Sequence, residues 1–248
     1  SLCLDKVESP EDFRESAVAF GQFQNMLADF PAAELSETIP HFHDTPSRYE
    51  AFKAAIAADE KGRLKDVQAE VDFALAREKD AHALMDMIAA GIIPLRVTHN
   101  DTKLNNVMLD DKTRKALCVI DLDTVMPGAV ANDFGDSIRF GASTGAEDER
   151  DLSKIECSME LFDTYTAGFL SACGERLSDA EKTSLPIGAK LMTLECGVRF
   201  LTDYLQGDVY FATHREGQNL DRCRTQFKLV ADMEKKREQM LAILEKYR

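Results

Sequence analysis

Val97-Thr98-His99-Asn100-Asp101-Thr102-Lys103-Leu104-Asn105-Asn106 enters on apolar and β-branched residues, stays polar-rich from His99 to Asn106, and then returns to the apolar run Val107-Met108-Leu109. A turn capped by Asn and Asp side chains is the bland account of Asp101 taken alone. The spacing suggests more. A carboxylate on a short loop can accept a hydroxyl proton as general base, and an amide oxygen five residues on, at Asn106, can ligate a hard cation such as Mg2+. The polar turn Asp110-Asp111-Lys112-Thr113 then leads to a second extended run, Ala116-Leu117-Cys118-Val119-Ile120, which delivers Asp121. If the two runs pair antiparallel, the loop before the first lies beside the loop after the second. Asp101, Asn106 and Asp121 are therefore expected to converge, with Asp121 holding the metal against phosphates.

Away from this centre the periodicity is helical. Ser9-Pro10-Glu11-Asp12 is a helix start, with a capping hydroxyl, proline at the first helical position and acids in the first turn. Phe13, Ala17, Phe20, Leu27 and Phe30 share one face of that helix, and Pro31 is expected to stop it. Thr45-Pro46 repeats the signal and opens a short helix through Phe52 and Ile56. One longer helix is expected to carry Val67, Val71, Ala74, Leu84 and Ile88 and to end at Gly91. Beyond Asp133 the chain reads as helix again. Ser178 and Glu181 form a capping box, and one last helix carries Cys223, Phe227, Val230, Leu241 and Leu244. The expectation is a single mainly α lobe over residues 1–248 with a small central β element.

Bulk chemistry narrows the partners. The formal net charge of −14 repels phosphate backbones and anionic lipid, which argues against nucleic acid or membrane as partner. It does not argue against ATP, because Mg2+ would carry positive charge to the nucleotide. Cys3, Cys118, Cys157, Cys173, Cys196 and Cys223 form no C-x-x-C pair, so reduced buried thiols are expected rather than a zinc or redox site. No apolar run reaches a membrane span and no leader opens the sequence, so a cytoplasmic location is expected.

His99, Asp101 and Asn106, a strand pair and then Asp121 resemble the H-x-D-x-x-x-x-N loop and metal-binding aspartate of kinase-like phosphotransferases. Leu122-Asp123 stands where protein kinases have F-G, which is similar to the aminoglycoside phosphotransferase and choline kinase branch. The runs from Val97 to Asn106, Ile120 to Gly128, Asp133 to Gly141, Arg199 to Leu205 and Gly207 to Phe211 resemble the N-acetylhexosamine 1-kinase group. That resemblance implies the C-terminal catalytic lobe of a kinase-like fold. It also implies ATP-dependent phosphorylation of a small-molecule hydroxyl, the anomeric one of an N-acetylhexosamine, with Mg2+ as cofactor. It makes Asp101 the base, Asn106 and Asp121 the Mg2+ and nucleotide ligands, and His99 the residue that orders the loop. Asp133 braces the loop, and Arg199 and Tyr210 hold the sugar. The family also uses an N-terminal nucleotide-clamping lobe. None precedes Ser1, so a fragment with weak turnover by itself is expected, with that lobe as its partner.

Other residues carry two readings. Lys103 either touches the transferring phosphoryl group or is a solvated turn lysine. His41 and His43 are read as satisfied loop histidines rather than substrate contacts. Arg199 is read either as an ion pair on a helix or as a sugar contact. Tyr210 and Phe211 either cap a pocket or pack. Glu234-Lys235-Lys236-Arg237-Glu238 reads as a mixed-charge solvated face. Two rival functions remain. Val119 to Val125 fits the D-x-D-x-[TV] signature of haloacid-dehalogenase-type phosphatases, with Asp121 as nucleophile, but that fold needs several parallel strands. A non-catalytic kinase-like scaffold is the other rival, and the intact Asp101, Asn106 and Asp121 argue against it.

Overall fold

The computed structural model describes all residues from Ser1 to Arg248. Nine α-helices carry most of the chain: α1 (Pro10–Met26), α2 (Thr45–Ala58), α3 (Gln68–Leu75), α4 (Ala83–Ala89), α5 (Val130–Gly141), α6 (Met159–Cys173), α7 (Asp179–Gln206), α8 (Gln218–Lys235) and α9 (Arg237–Glu245). Four short strands lie between α4 and α5: β1 (Arg96–Thr98), β2 (Val107–Leu109), β3 (Ala116–Val119) and β4 (Met126–Gly128). The mainly α architecture with a small β insert is therefore present.

The β insert is two ribbons rather than one element. β2 pairs antiparallel with β3, as the hairpin spacing predicts, while β1 pairs antiparallel with β4. The second pairing was not anticipated, because Met126-Pro127-Gly128 carries little strand propensity. It is secured locally: the Thr98 hydroxyl donates to Met126 O at 2.9 Å, and a Cβ at Gly128 would stand 2.4 Å from Thr98 Oγ1. Both sheets are two-stranded and antiparallel, which removes the phosphatase reading.

Several boundaries differ from the expectation for physical reasons. Ser9 caps α1 by accepting from Asp12 N, but the helix ends at Met26 and leaves Phe30 exposed, one turn before Pro31. Asp44, not Thr45, caps α2, because the Thr45 hydroxyl is engaged by Glu195. The long helix expected up to Gly91 is broken by a 3-10 turn at Glu78–His82 into α3 and α4. The last helix is likewise two, α8 and α9, parted at Lys236. The capping box of Ser178 and Glu181 is formed in full. Cys157, Cys173 and Cys223 are buried as expected, whereas Cys3 and Cys118 are exposed, and all six are free thiols. Glu234 is no solvated acid: it pairs with Arg77 at 2.7 Å and Lys190 at 2.8 Å.

α7 is the axis of the lobe. On one flank α5 crosses it where Gly135 and Gly188 face each other; a Cβ at Gly135 would lie 2.3 Å from Gly188 O, and one at Gly188 2.0 Å from Ala131 O. Backbones approach this closely only where side chains are missing, and side chains there would overpack the crossing. Phe134 then enters the core beside Phe162, Tyr165 and Phe169. On the other flank Leu194, Val198 and Leu201 pack with Tyr49, Phe52, Val71 and Phe227. No helix is long and apolar enough to cross a membrane.

Candidate active site

The polar loop follows directly from β1, and Asp133, in the first turn of α5, holds it. Asp133 is buried and accepts from His99 N at 2.9 Å, Asn100 N at 2.8 Å and Gln24 Nε2 at 2.7 Å. Burial raises its pKa, and those hydrogen bonds oppose the rise without cancelling it. Asn100 takes a left-handed conformation (φ 66°), tolerable for asparagine, and its side chain donates to Thr98 O and Thr124 O. The Thr102 hydroxyl donates to Asp133 O, and Ser137, itself bonded by Tyr165, donates to Thr102 O.

His99 lies under the loop against the edges of Phe20 and Phe23. Its Nε2–H faces Ile120 O at 2.9 Å, and its Nδ1 accepts from Asp101 N at 3.3 Å. This is the pattern of a neutral imidazole with one donor and one acceptor. It joins the loop to the end of the β2–β3 hairpin, where Ile120 N also donates to Asn106 O. Asp101 is engaged from two sides: Asn106 Nδ2 donates to its backbone oxygen at 2.8 Å and to Oδ2 at 3.1 Å, while Lys103 Nζ sits 2.7 Å from Oδ1. Lys103 is therefore no solvated turn lysine. Burial would lower its pKa, but the charges of Asp101 and then Asp136 raise it.

Asp121 follows Ile120 in a left-handed conformation (φ 64°) and is exposed. The carboxyl of Asp123, close enough to share a hydrogen bond, raises its pKa by like charge, and Asp101 adds to the effect. Asp121 and Asp123 are neighbouring carboxylates, and Asn106 Oδ1 is left over because both its side-chain bonds run from Nδ2; these are hard oxygen donors of the kind Mg2+ takes. No group of three or more His, Cys, Asp or Glu side chains is placed to hold a metal ion by itself.

On the other side of Asp101 lies a cavity of about 510 Å³, lined by residues including Asp101, Lys103, Asp136, Glu195, Arg199 and Tyr210. Its acids are all matched. Lys103 faces Asp101, Arg139 faces Asp136 and Glu147, and His43 faces Glu195. Of the cavity's polar side-chain atoms, Asp136 Oδ2 and Arg222 Nε lie buried without a hydrogen bond. Arg199 has no carboxylate partner. Its guanidinium stands 5.4 Å from the ring centres of Phe42 and Phe211 and 5.8 Å from that of Tyr210, so the helix ion-pair reading of Arg199 is set aside. Asp203 shapes that aromatic wall: Oδ1 accepts from Val209 N and Tyr210 N at 2.8 Å, and Oδ2 from Phe211 N at 3.0 Å. Tyr210 itself is largely exposed at the rim.

Glu195, Asp136, Asp203 and Gln24 were missed in the sequence. Glu195, Arg199 and Asp203 recur every four residues along α7, a polar stripe on an otherwise buried helix. That stripe was the available signal. Gln24 offered none.

A carboxylate held by a lysine and an asparagine beside an acidic pair, on a mainly helical lobe with a small antiparallel insert, defines a kinase-like phosphotransferase fold. The phosphotransferase enzyme family matches residues 4–164, and the chain belongs to that family. Among solved structures it is similar to an ethanolamine kinase from Plasmodium vivax, with a TM-score of 0.55 and 14% identity over 91% of this chain and 64% of that one. It is also similar to a microcompartment-associated aminopropanol kinase, with a TM-score of 0.51 and 14% identity over 95% of this chain and 65% of that one. The chain thus spans somewhat less than two thirds of the length of either structure.

Proposed function

We propose that the chain is the acceptor-binding and catalytic lobe of an ATP-dependent small-molecule kinase, and that its acceptor is a sugar, the anomeric hydroxyl of an N-acetylhexosamine. Asp101 accepts the hydroxyl proton, and its fixed orientation between Asn106 and Lys103 supplies the positioning on which phosphoryl transfer depends. Lys103, adjacent to Asp101, offers positive charge to the transferring group. Asn106 and Asp121, with Asp123 beside them, are the residues to hold Mg2+, which when bound neutralises charge on the phosphates. The nucleotide-clamping lobe belongs to the complete protein under this reading.

The single observation that favours a sugar over an amino alcohol is the unpaired Arg199. Each pocket carboxylate already has a cation, so an ammonium group would meet no free anion and one free guanidinium. A neutral, hydroxyl-rich acceptor suits a wall of paired charges and aromatic rings. The test is a steady-state assay of the complete protein with Mg-ATP on a panel of N-acetylhexosamines, plain hexoses, ethanolamine and aminopropanol. Turnover of an N-acetylhexosamine well above the rest is expected. Preference for ethanolamine would refute the sugar assignment and leave the kinase assignment standing.

A further inference from the structure

Among the five histidines, His43 alone has acceptor-only atoms at both ring nitrogens. Nδ1 lies 2.8 Å from Glu195 Oε1, and Nε2 lies 3.1 Å from Asn100 O. A neutral imidazole has one N–H and satisfies one of these; the imidazolium satisfies both. The surroundings support the charged form. Glu195 is buried on α7, and its other oxygen takes the Thr45 hydroxyl at 2.5 Å. Facing the ring's neighbourhood are Glu195 and Arg199 from α7, Asp136 and Arg139 from α5, Lys103 from the loop, and Asp44 and Arg48 from the start of α2. Burial by itself would lower the pKa of His43, but Glu195 and then Asp136 outweigh it and hold the ring above its ordinary value of 6.5.

We propose that His43 is a positioning residue that, as an imidazolium, grips the Asn100–Asp101 peptide by its carbonyl, while neutral His99 takes the N–H of the same peptide. The unit that leads into Asp101 is then held at both ends by two imidazoles in different protonation states. When His43 loses a proton, the carboxylate of Glu195, the stronger acceptor, keeps Nδ1–H in place. Nε2 is the atom stripped, and its lone pair then faces that of the Asn100 carbonyl. The clamp on Asp101 opens from that side, while Asp133 still holds Asn100 N. The catalytic meaning of the clamp rests on the phosphotransfer reading above; its existence does not.

The experiment is an NMR titration of the full chain with 15N-labelled histidine and an assigned Asp101 amide, alongside His43→Gln. At neutral pH both ring nitrogens of His43 are expected to carry protons. Its deprotonation above pH 6.5 should move the Asp101 amide resonance, and His43→Gln should displace that resonance and abolish its response. A His43 that carries one ring proton at neutral pH overturns the proposal. So does an Asp101 amide that ignores both the titration and the substitution. Should the variant fail to fold, the wild-type titration decides alone. In the complete enzyme, kcat should fall on the alkaline side at the pH of the NMR step. His43→Gln should remove that limb and lower kcat about 10-fold, within the range a small misplacement causes. An enzyme that phosphorylates nothing would sink the functional reading while the NMR result stood.

Discussion

Asp101 is distinguished by how little freedom it has. Its backbone N–H, its backbone oxygen and both its carboxylate oxygens are engaged, so its reach is fixed before any substrate arrives. Asp101→Asn in the complete protein should therefore lower kcat by about 10²-fold or more, the scale for losing a general base, with the acceptor KM little changed; steady-state kinetics reads both. Asp121→Ala should differ in kind. It should raise the Mg2+ concentration needed for half-maximal activity and depress kcat, whereas a variant whose Mg2+ dependence matches wild type would remove Asp121 from the metal site. At Asp203 the carboxylate serves three N–H groups and the Asn219 amide. Asp203→Ala leaves those donors unpaired, each costing about 1–3 kcal/mol if they stay dry. A lower Tm is expected, together with a higher acceptor KM as Tyr210 and Phe211 loosen around Arg199.

At the scale of elements, the crossing of α5 and α7 sets where Asp133 and Glu195 stand relative to one another. Gly135 and Gly188 let the two backbones meet, and an added methyl has backbone, not a flexible side chain, in its way. Gly188→Ala should cost about 1–3 kcal/mol or more by overpacking, read as a lower urea midpoint at unchanged slope. Because the displaced helix carries Glu195 and Arg199, activity should fall further than stability predicts; a variant destabilised but fully active would show that the site tolerates a shift of α7. The elements also separate what could be read in the sequence from what could not. The β2–β3 hairpin and the capping box at Ser178 were legible because their partners are local. The β1–β4 ribbon and the Asp44 cap were not, because each depends on a contact distant in sequence, Thr98 with Met126 and Thr45 with Glu195.

For the whole molecule, the same division holds for the site. Asp101, Asn106 and Asp121 announce themselves through spacing around two strands, and Asp133 only through the resemblance to kinase-like phosphotransferases. Gln24 and Glu195 lie 109 and 152 residues from the partners they hold, Asp133 and His43, and nothing local marks them. The buried pair of His43 and Glu195 also gives stability a pH signature. A base with a raised folded pKa contributes stability that is complete below its unfolded 6.5 and is lost as pH rises through the folded value. Glu195 is the reverse: burial raises its pKa, but His43 and Arg199 lower it overall, so its contribution is present above 4.5 and is lost as pH falls through the folded value. Between those limits the pair is intact, and wild type should exceed Glu195→Ala by about 3–5 kcal/mol, the scale for orphaning a buried charge. Urea midpoints measured across pH should show that gap narrowing at both ends; a gap independent of pH would mean the pair is not ionised.

The carboxylate of Asp133 collects Gln24 from the first helix and the loop after β1, and this has a consequence for time rather than for energy. Local helices form early, while contacts that close long loops are entropically late. Until α1 docks, Asp133 lacks one of its donors and the loop bearing Asp101 lacks its floor of Phe20 and Phe23. Refolding should therefore show helical circular dichroism returning first and the near-ultraviolet signal of the packed aromatics later.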